Sequence, residues 1–282
     1  MWVALVQMHS TTDIEHNRLR ARQLIQEAAR RGARLVALPE HFAYLGPREE
    51  ENLPTAQPLD GPLVQEFRQL AAELGIYLLL GTFPEIAAPG PKPYNTSVLL
   101  GPQGNLLAYY RKIHLFDITL PGRTTYQESR YVQSGQKVVT ASLSEEAFTI
   151  GLAICYDLRF PELFRFLVDQ GAEVIILPAA FTLHTGKDHW EVLLRARAIE
   201  NQVYILAPAQ FGQHGTQRES YGRSMVVDPW GLMLAQAPDG EGVIYAWLER
   251  ERLQRVRAHL PSLQHRRLPV AGLEASTVKP RP

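Results

Sequence analysis

From Val3 to Phe83 the chain alternates short apolar runs with longer segments of helical periodicity: VALVQ, IEHNRLRARQLIQEAARRG, RLVAL, LVQEFRQLAAELG and IYLLLGTF. No other feature narrows the fold as much. Runs that stay apolar at successive positions are strands covered on both faces, and the helices between them supply the cover. Gly32 and Gly75 follow the two helical segments, where a helix stop is expected. Further on, SVLLGPQGNLLAYY and SMVVDPWGLMLAQ each set two apolar runs around a Gly/Pro turn and read as antiparallel hairpins. Parallel and antiparallel pairing therefore coexist, and the class is α/β with mixed sheets.

The remaining composition narrows function more than fold. The 282 residues balance 29 basic against 29 acidic side chains, and ARRGAR and QHRR read as solvated faces rather than a polyanion-binding patch. Nucleic acid is not an expected partner. The opening MWVALVQMHS lacks a basic leader, and no apolar run approaches the roughly 18 residues of a membrane span. Cys155 is the only cysteine, so no internal disulfide can form; a reducing, cytoplasmic setting is expected. Without a Pro/Gly/Ser-rich linker, residues 1–268 read as one domain and 269–282 as a loosely ordered tail. No GxGxxG follows a strand and no GxxxxGK[ST] loop occurs, so no cofactor is expected.

Cys155 ends the strand-like run TIGLAIC and precedes YDLRFPELFRFL, which reads as a helix entry. A turn of this kind presents its side chain outward and aims backbone N–H groups at whatever the side chain attacks. Taken alone, the thiol fits a buried structural cysteine as well as a nucleophile. Two other apolar runs end in reactive charge: RLVALPE places Glu40, and NLLAYYRK places Lys112. Singly, each is an ordinary solvated loop residue. If the three strands are neighbours in one sheet, their side chains meet at one sheet edge, where open α/β folds hold their ligands.

These motifs carry a resemblance: PEHF at Glu40, YRKIHLFD at Lys112 and GLAICYDLRFPEL at Cys155, in this order, are similar to the carbon–nitrogen hydrolase (nitrilase) superfamily. It covers about Val3 to Arg267. LPGRTTYQES, LPAAFTLHTGKDHWEVLLRARAIENQ and SYGRSMVVDPWG resemble its amidase branch, which includes deaminated-glutathione amidases and omega-amidases. The resemblance implies a four-layer αββα sandwich of two mixed β-sheets, assembled as a homodimer or larger. It also implies a small amide substrate bearing carboxylates, with the cysteine as the group that forms a thioester. Deaminated glutathione, cleaved to 2-oxoglutarate and cysteinylglycine, is the expected substrate, with 2-oxoglutaramate or 2-oxosuccinamate as the omega-amidase alternative. Nitriles stand further behind, and a scaffold that has lost its chemistry is the reading from another class.

Amide hydrolysis needs a nucleophile, a proton shuttle and oxyanion donors. Cys155, Glu40 and Lys112 fill these roles, with Glu40 expected to have a raised pKa and Cys155 a lowered one. Tyr156 offers a backbone N–H to the oxyanion. Glu128 falls where the family carries a second glutamate, implied to hold Lys112 or the substrate; its plain alternative is a surface salt bridge. Asp157 or Glu162 could pair with Arg159 and fix the turn, or Arg159 could receive a substrate carboxylate. Phe181 and Thr182 read as pocket wall or as a plain turn. QFGQHGTQRES reads as an exposed connection, and WEVLLRARAIENQ as a packing helix. His184, Asp188 and His189 are too poorly spaced for a metal site, and His114 reads as a brace for the lysine loop.

Overall fold

The computed structural model describes residues 1–87, 90–119, 125–216 and 218–268. The tail 269–282 and residues 120–124 of the LPGRTTYQES motif lie outside the described residues. In chain order come β1 (Trp2–Gln7), α1 (Ile14–Arg30), β2 (Leu35–Ala37), α2 (Pro62–Leu74), β3 (Tyr77–Glu85), β4 (Tyr94–Leu100) and β5 (Leu106–Arg111). A small hairpin, β6 (Asp117–Thr119) and β7 (Thr125–Gln127), leads to β8 (Thr140–Leu143), β9 (Phe148–Leu152), α3 (Pro161–Asp169), β10 (Val174–Ile176) and α4 (Leu183–Asn201). Then follow β11 (Tyr204–Ala207), the hairpin β12 (Phe211–His214) and β13 (Arg218–Tyr221), β14 (Met225–Val227), β15 (Met233–Gln236), β16 (Gly242–Trp247) and α5 (Arg250–His259).

Two six-stranded sheets result, ordered β16-β1-β2-β3-β4-β5 and β15-β14-β11-β10-β9-β8. In each, three consecutive strands run parallel, β1–β2–β3 and β9–β10–β11, and the flanking pairs are antiparallel. Both hairpins read from the sequence are present, as β4–β5 and β14–β15.

Strand alternation sorts the first sheet's side chains between two cores. Val3, Leu5, Leu35, Ala37, Tyr77 and Leu79 pack into one cluster with Ile150, Leu152, Val174 and Ile176 of the second sheet. Their neighbours Ala4, Val6, Val36, Leu78 and Leu80 pack instead with Leu24, Ile25, Phe67 and Leu70 of α1 and α2. The second sheet is covered in the same way by Leu163, Leu167, Trp190 and Leu194 of α3 and α4. Layers of helix, sheet, sheet and helix follow, because each sheet is apolar on both faces.

Helix ends obey local rules. Asp13 accepts the His16 N–H at 3.0 Å to start α1, Pro161 opens α3, and Gly75 ends α2 in the left-handed region at φ 62°. Gly81 has a different task. It sits where the β3–β4 register slips, and a Cβ there would lie 1.7 Å from the Pro39 carbonyl oxygen. Only a residue without a side chain lets β3 pass beneath the loop that carries Glu40.

Candidate active site

Glu40 lies just beyond β2, Lys112 directly after β5, and Cys155 beyond β9. The first two belong to one sheet and the third to the other, so the reading that all three end neighbouring strands of a single sheet is corrected. β2 and β5 are themselves separated by β3 and β4. The side chains meet because β2 and β5 point the same way and β9 ends opposite them across the intersheet core.

Lys112 is nearly sealed from solvent and sits between two carboxylates. Its Nζ lies 3.1 Å from Glu40 Oε1, and 3.1 and 2.9 Å from the two oxygens of Glu128. Glu128 is therefore at the centre of the cluster, not in a surface salt bridge, and its Oε2 also accepts the Phe116 N–H at 2.7 Å. The other Glu40 oxygen, Oε2, accepts the Ala180 N–H at 2.8 Å, and the Cys155 thiol lies against this carboxylate and helps to hold it ionised. Burial pushes the Lys112 ammonium down, but Glu128, Glu40 and Cys155 outweigh it and hold the lysine charged.

The expected protonation states are reversed. Burial alone would raise the Glu40 pKa, yet Lys112, the His41 ring, the thiol and the Ala180 N–H together hold the carboxyl down at about 2. Each of these favours the ionised form. Cys155 moves the other way: burial and the facing carboxylate raise it well above an ordinary thiol, and Lys112 offsets only part of this. The resting pair is thus a carboxylate beside a neutral thiol, poised for proton transfer when an electrophile arrives.

The Cys155 backbone is strained. Cys155 has φ 45°, in the left-handed region, and begins a 3-10 helix, Cys155–Arg159, before Pro161 opens α3. Its N–H donates to Pro178 O at 3.0 Å, and Asp157 holds the turn from inside. That fully buried carboxylate accepts the Ile154 N–H at 2.9 Å and the Tyr110 hydroxyl at 2.8 Å on one oxygen. On the other it meets the His114 N–H at 3.1 Å and the His114 ring at 2.7 Å. Asp157 therefore ties the cysteine turn to the strand and loop that carry Lys112. The pairing with Arg159 considered from sequence does not form, and His114 braces the loop while stacking on Phe160 at 3.7 Å.

Arg159 instead turns its guanidinium over Phe181, 5.0 Å from the ring centroid, with Nη1 3.2 Å from His189 Nδ1. Among the described residues no carboxylate pairs with it. Arg159, Phe181, Thr182 and Tyr156 line one pocket together with Glu40, Lys112, Glu128 and Cys155. Thr182 Oγ1 is hydrogen-bonded to Thr185 Oγ1 at 2.8 Å. QFGQHGTQRES is no plain exposed connection: as β12–β13 it brings the largely buried Arg218 into the same pocket. WEVLLRARAIENQ lies in α4 and buries Trp190, Leu194, Arg197, Ala198 and Asn201. Among the described residues no three His, Cys, Asp or Glu side chains converge as a metal site.

Sequence reasoning missed Asn95. At the start of β4 its Nδ2 donates to Glu40 Oε1 at 3.0 Å and to Glu128 Oε1 at 3.3 Å, while its carbonyl accepts the Lys112 N–H at 2.9 Å. A neutral polar residue at a strand start gives no signal in a single sequence.

Comparison with known proteins identifies the family and the fold. The carbon–nitrogen hydrolase family model matches residues 2–258. The chain belongs to the carbon–nitrogen hydrolase family. A Synechocystis protein named deaminated glutathione amidase is 46% identical over 264 residues, covering 93% of this chain and 97% of that protein. Omega-amidase NIT2 of Pongo abelii is 38% identical, covering 96% and 97% respectively. Among solved structures, Saccharomyces cerevisiae Nit3, a member of branch 10 of the nitrilase superfamily, aligns with a TM-score of 0.83 at 35% identity over 93% of this chain and 94% of that one. Two packed mixed sheets between helices are thus the shared family architecture, and the chain is a hydrolase of carbon–nitrogen bonds.

Proposed function

We propose that this hydrolase cleaves the amide of deaminated glutathione to 2-oxoglutarate and cysteinylglycine through a thioester on Cys155. The observation that carries the chemistry is the Cys155 thiol in one pocket with, and coupled to, a Glu40 carboxylate that is itself held by Lys112. As Sγ bonds to the amide carbon, its proton passes to Glu40. The oxygen becomes an oxyanion beside Lys112 Nζ and the Tyr156 N–H. The C–N bond then breaks as Glu40 returns the proton to the leaving nitrogen. Water, deprotonated by Glu40, attacks the thioester; the carboxylic acid leaves and the sulfur regains its proton.

Substrate choice is supported by the relatives at 45–46% identity that carry this name, against 38% for the omega-amidase. Arg159, above the apolar Phe181 wall and with no carboxylate partner among the described residues, suits the carboxylate of a 2-oxo acid. The omega-amidase reading keeps the same acyl group and differs in the leaving group, ammonia in place of cysteinylglycine. Cysteinylglycine release from deaminated glutathione and ammonia release from 2-oxoglutaramate, measured side by side, decide between them. A higher kcat/KM for 2-oxoglutaramate rejects the proposed substrate.

The proposed setting is the cytoplasm, where the single thiol stays reduced. The proposed assembly is a homodimer or larger. Supporting it, α4 exposes Val192 and Ile199 beside exposed Trp230, Leu232, Met233 and Leu234, an apolar surface suited to a second copy.

A further inference from the structure

We infer that Asn95 is a positioning residue for the proton shuttle: its amide N–H₂, set between Glu40 and Glu128, keeps both carboxylates turned onto Lys112 and Glu40 aimed at the thiol. The inference rests on the amidase chemistry proposed above but not on the choice of substrate. Asn95 is 3% exposed, and its Nδ2 bridges Glu40 Oε1 at 3.0 Å and Glu128 Oε1 at 3.3 Å. Its other end bears a revealing defect. Among the described residues, Asn95 Oδ1 is buried with no hydrogen-bond partner. An orphaned acceptor inside a protein is unfavourable, and rotating the amide by half a turn would move it. That rotation would instead set an oxygen against two carboxylate oxygens at about 3 Å. The observed orientation therefore leaves one atom unsatisfied in order to place a donor between the glutamates.

A lysine alone does not fix this geometry. Nζ can follow either carboxylate, whereas the Asn95 side chain is anchored at the start of β4, whose carbonyl also holds the Lys112 N–H at 2.9 Å. The groups facing Glu40 are then Lys112 from the end of β5, His41 from its own loop, Cys155 from the turn after β9, and the Ala180 N–H from beyond β10. Beside these, Asn95 adds a neutral side-chain amide that, like Lys112, touches both glutamates.

The test is Asn95→Asp, with Asn95→Leu alongside. A protonated aspartic acid has the asparagine's shape and still offers a donor; an ionised one sets a third carboxylate against Glu40 and Glu128. With two carboxylates beside it, the new acid should titrate well above an ordinary aspartate. Asn95→Asp activity, as a fraction of the parent's at each pH, should therefore approach the parent toward pH 5 and fall about tenfold or more by pH 8. Asn95→Leu should be impaired at every pH by a constant factor. Iodoacetamide alkylation of Cys155, followed by intact mass, should show the same pH-dependent fraction without any amide substrate. Thermal melting by circular dichroism at both pH values shows whether each variant is folded. A pH-independent fraction in folded Asn95→Asp, or parent-like rates in Asn95→Leu, overturns the inference. An alkylation fraction that behaves as stated while the parent hydrolyses neither amide overturns the substrate proposal alone.

Discussion

At the pocket the first sheet ends in charged side chains, Glu40 and Lys112, while the second ends in a strained turn with a neutral thiol and in the Ala180 N–H that holds Glu40. The two ends are stabilised in different ways. On the first side each charge is held by another, so Lys112 and the two glutamates are satisfied only as a set. On the second side geometry dominates: Cys155 stays at φ 45° because Asp157 fastens its turn to Tyr110 and His114. On the proposed roles, proton handling is built on electrostatics, and nucleophile placement on backbone constraint.

Removing the central group of each side should give the largest effects. Cys155→Ala leaves no thioester route, and Glu40→Gln leaves no shuttle; each should lower kcat by about 10⁴-fold or more in product-release assays. If Glu40→Gln kept most of its activity, the division of labour between the sheets would be wrong. Gly81→Ala comes next. Its Cβ would meet the Pro39 carbonyl at 1.7 Å, so calorimetry should show a loss of about 3 kcal/mol, with kcat falling as the Glu40 loop is pushed aside.

The pH response separates the sides further. The parent thiol is held protonated, so its iodoacetamide alkylation rate should climb steadily from about pH 6 to about pH 9. A fast, flat profile would mean a preformed thiolate. Glu40 has the opposite sign. Its folded pKa is depressed, so its contribution to stability is complete above the ordinary carboxylate value of 4.5 and is lost as pH falls toward about 2. The smallest expected change is Tyr110→Phe, which removes one of four donors to Asp157. Urea unfolding should report a loss of about 1 to 2 kcal/mol, with kcat reduced less than about tenfold.

Much of the frame was legible in the sequence because apolar runs and Gly/Pro turns act locally. Glu40, Lys112 and Cys155 stood out since each ends such a run. Their meeting from two sheets was not legible, because strand order is a long-range property. Asp157 or Glu162 was read as able to pair with the nearby Arg159, yet apart from the Ile154 N–H the partners of Asp157, Tyr110 and His114, lie more than forty residues away. The direction of the Glu40 and Cys155 shifts was missed for a related reason: the Lys112 ammonium and Ala180 N–H that outweigh burial at Glu40, and the Glu40 carboxylate that adds to burial at Cys155, come from distant parts of the chain. Asn95 gave no sign at all.

The edge formed by β1 and β16 reaches across the whole chain, with Trp2 opposite Trp247 and Gln7 opposite Gly242. A ribosome must therefore emit nearly every residue before that ladder can close, and the loop-closure entropy for such distant partners is paid late. Nascent chains will wait with the apolar flank of β1 unguarded, so a holdase that shields it should raise the yield of folded enzyme more than faster synthesis would.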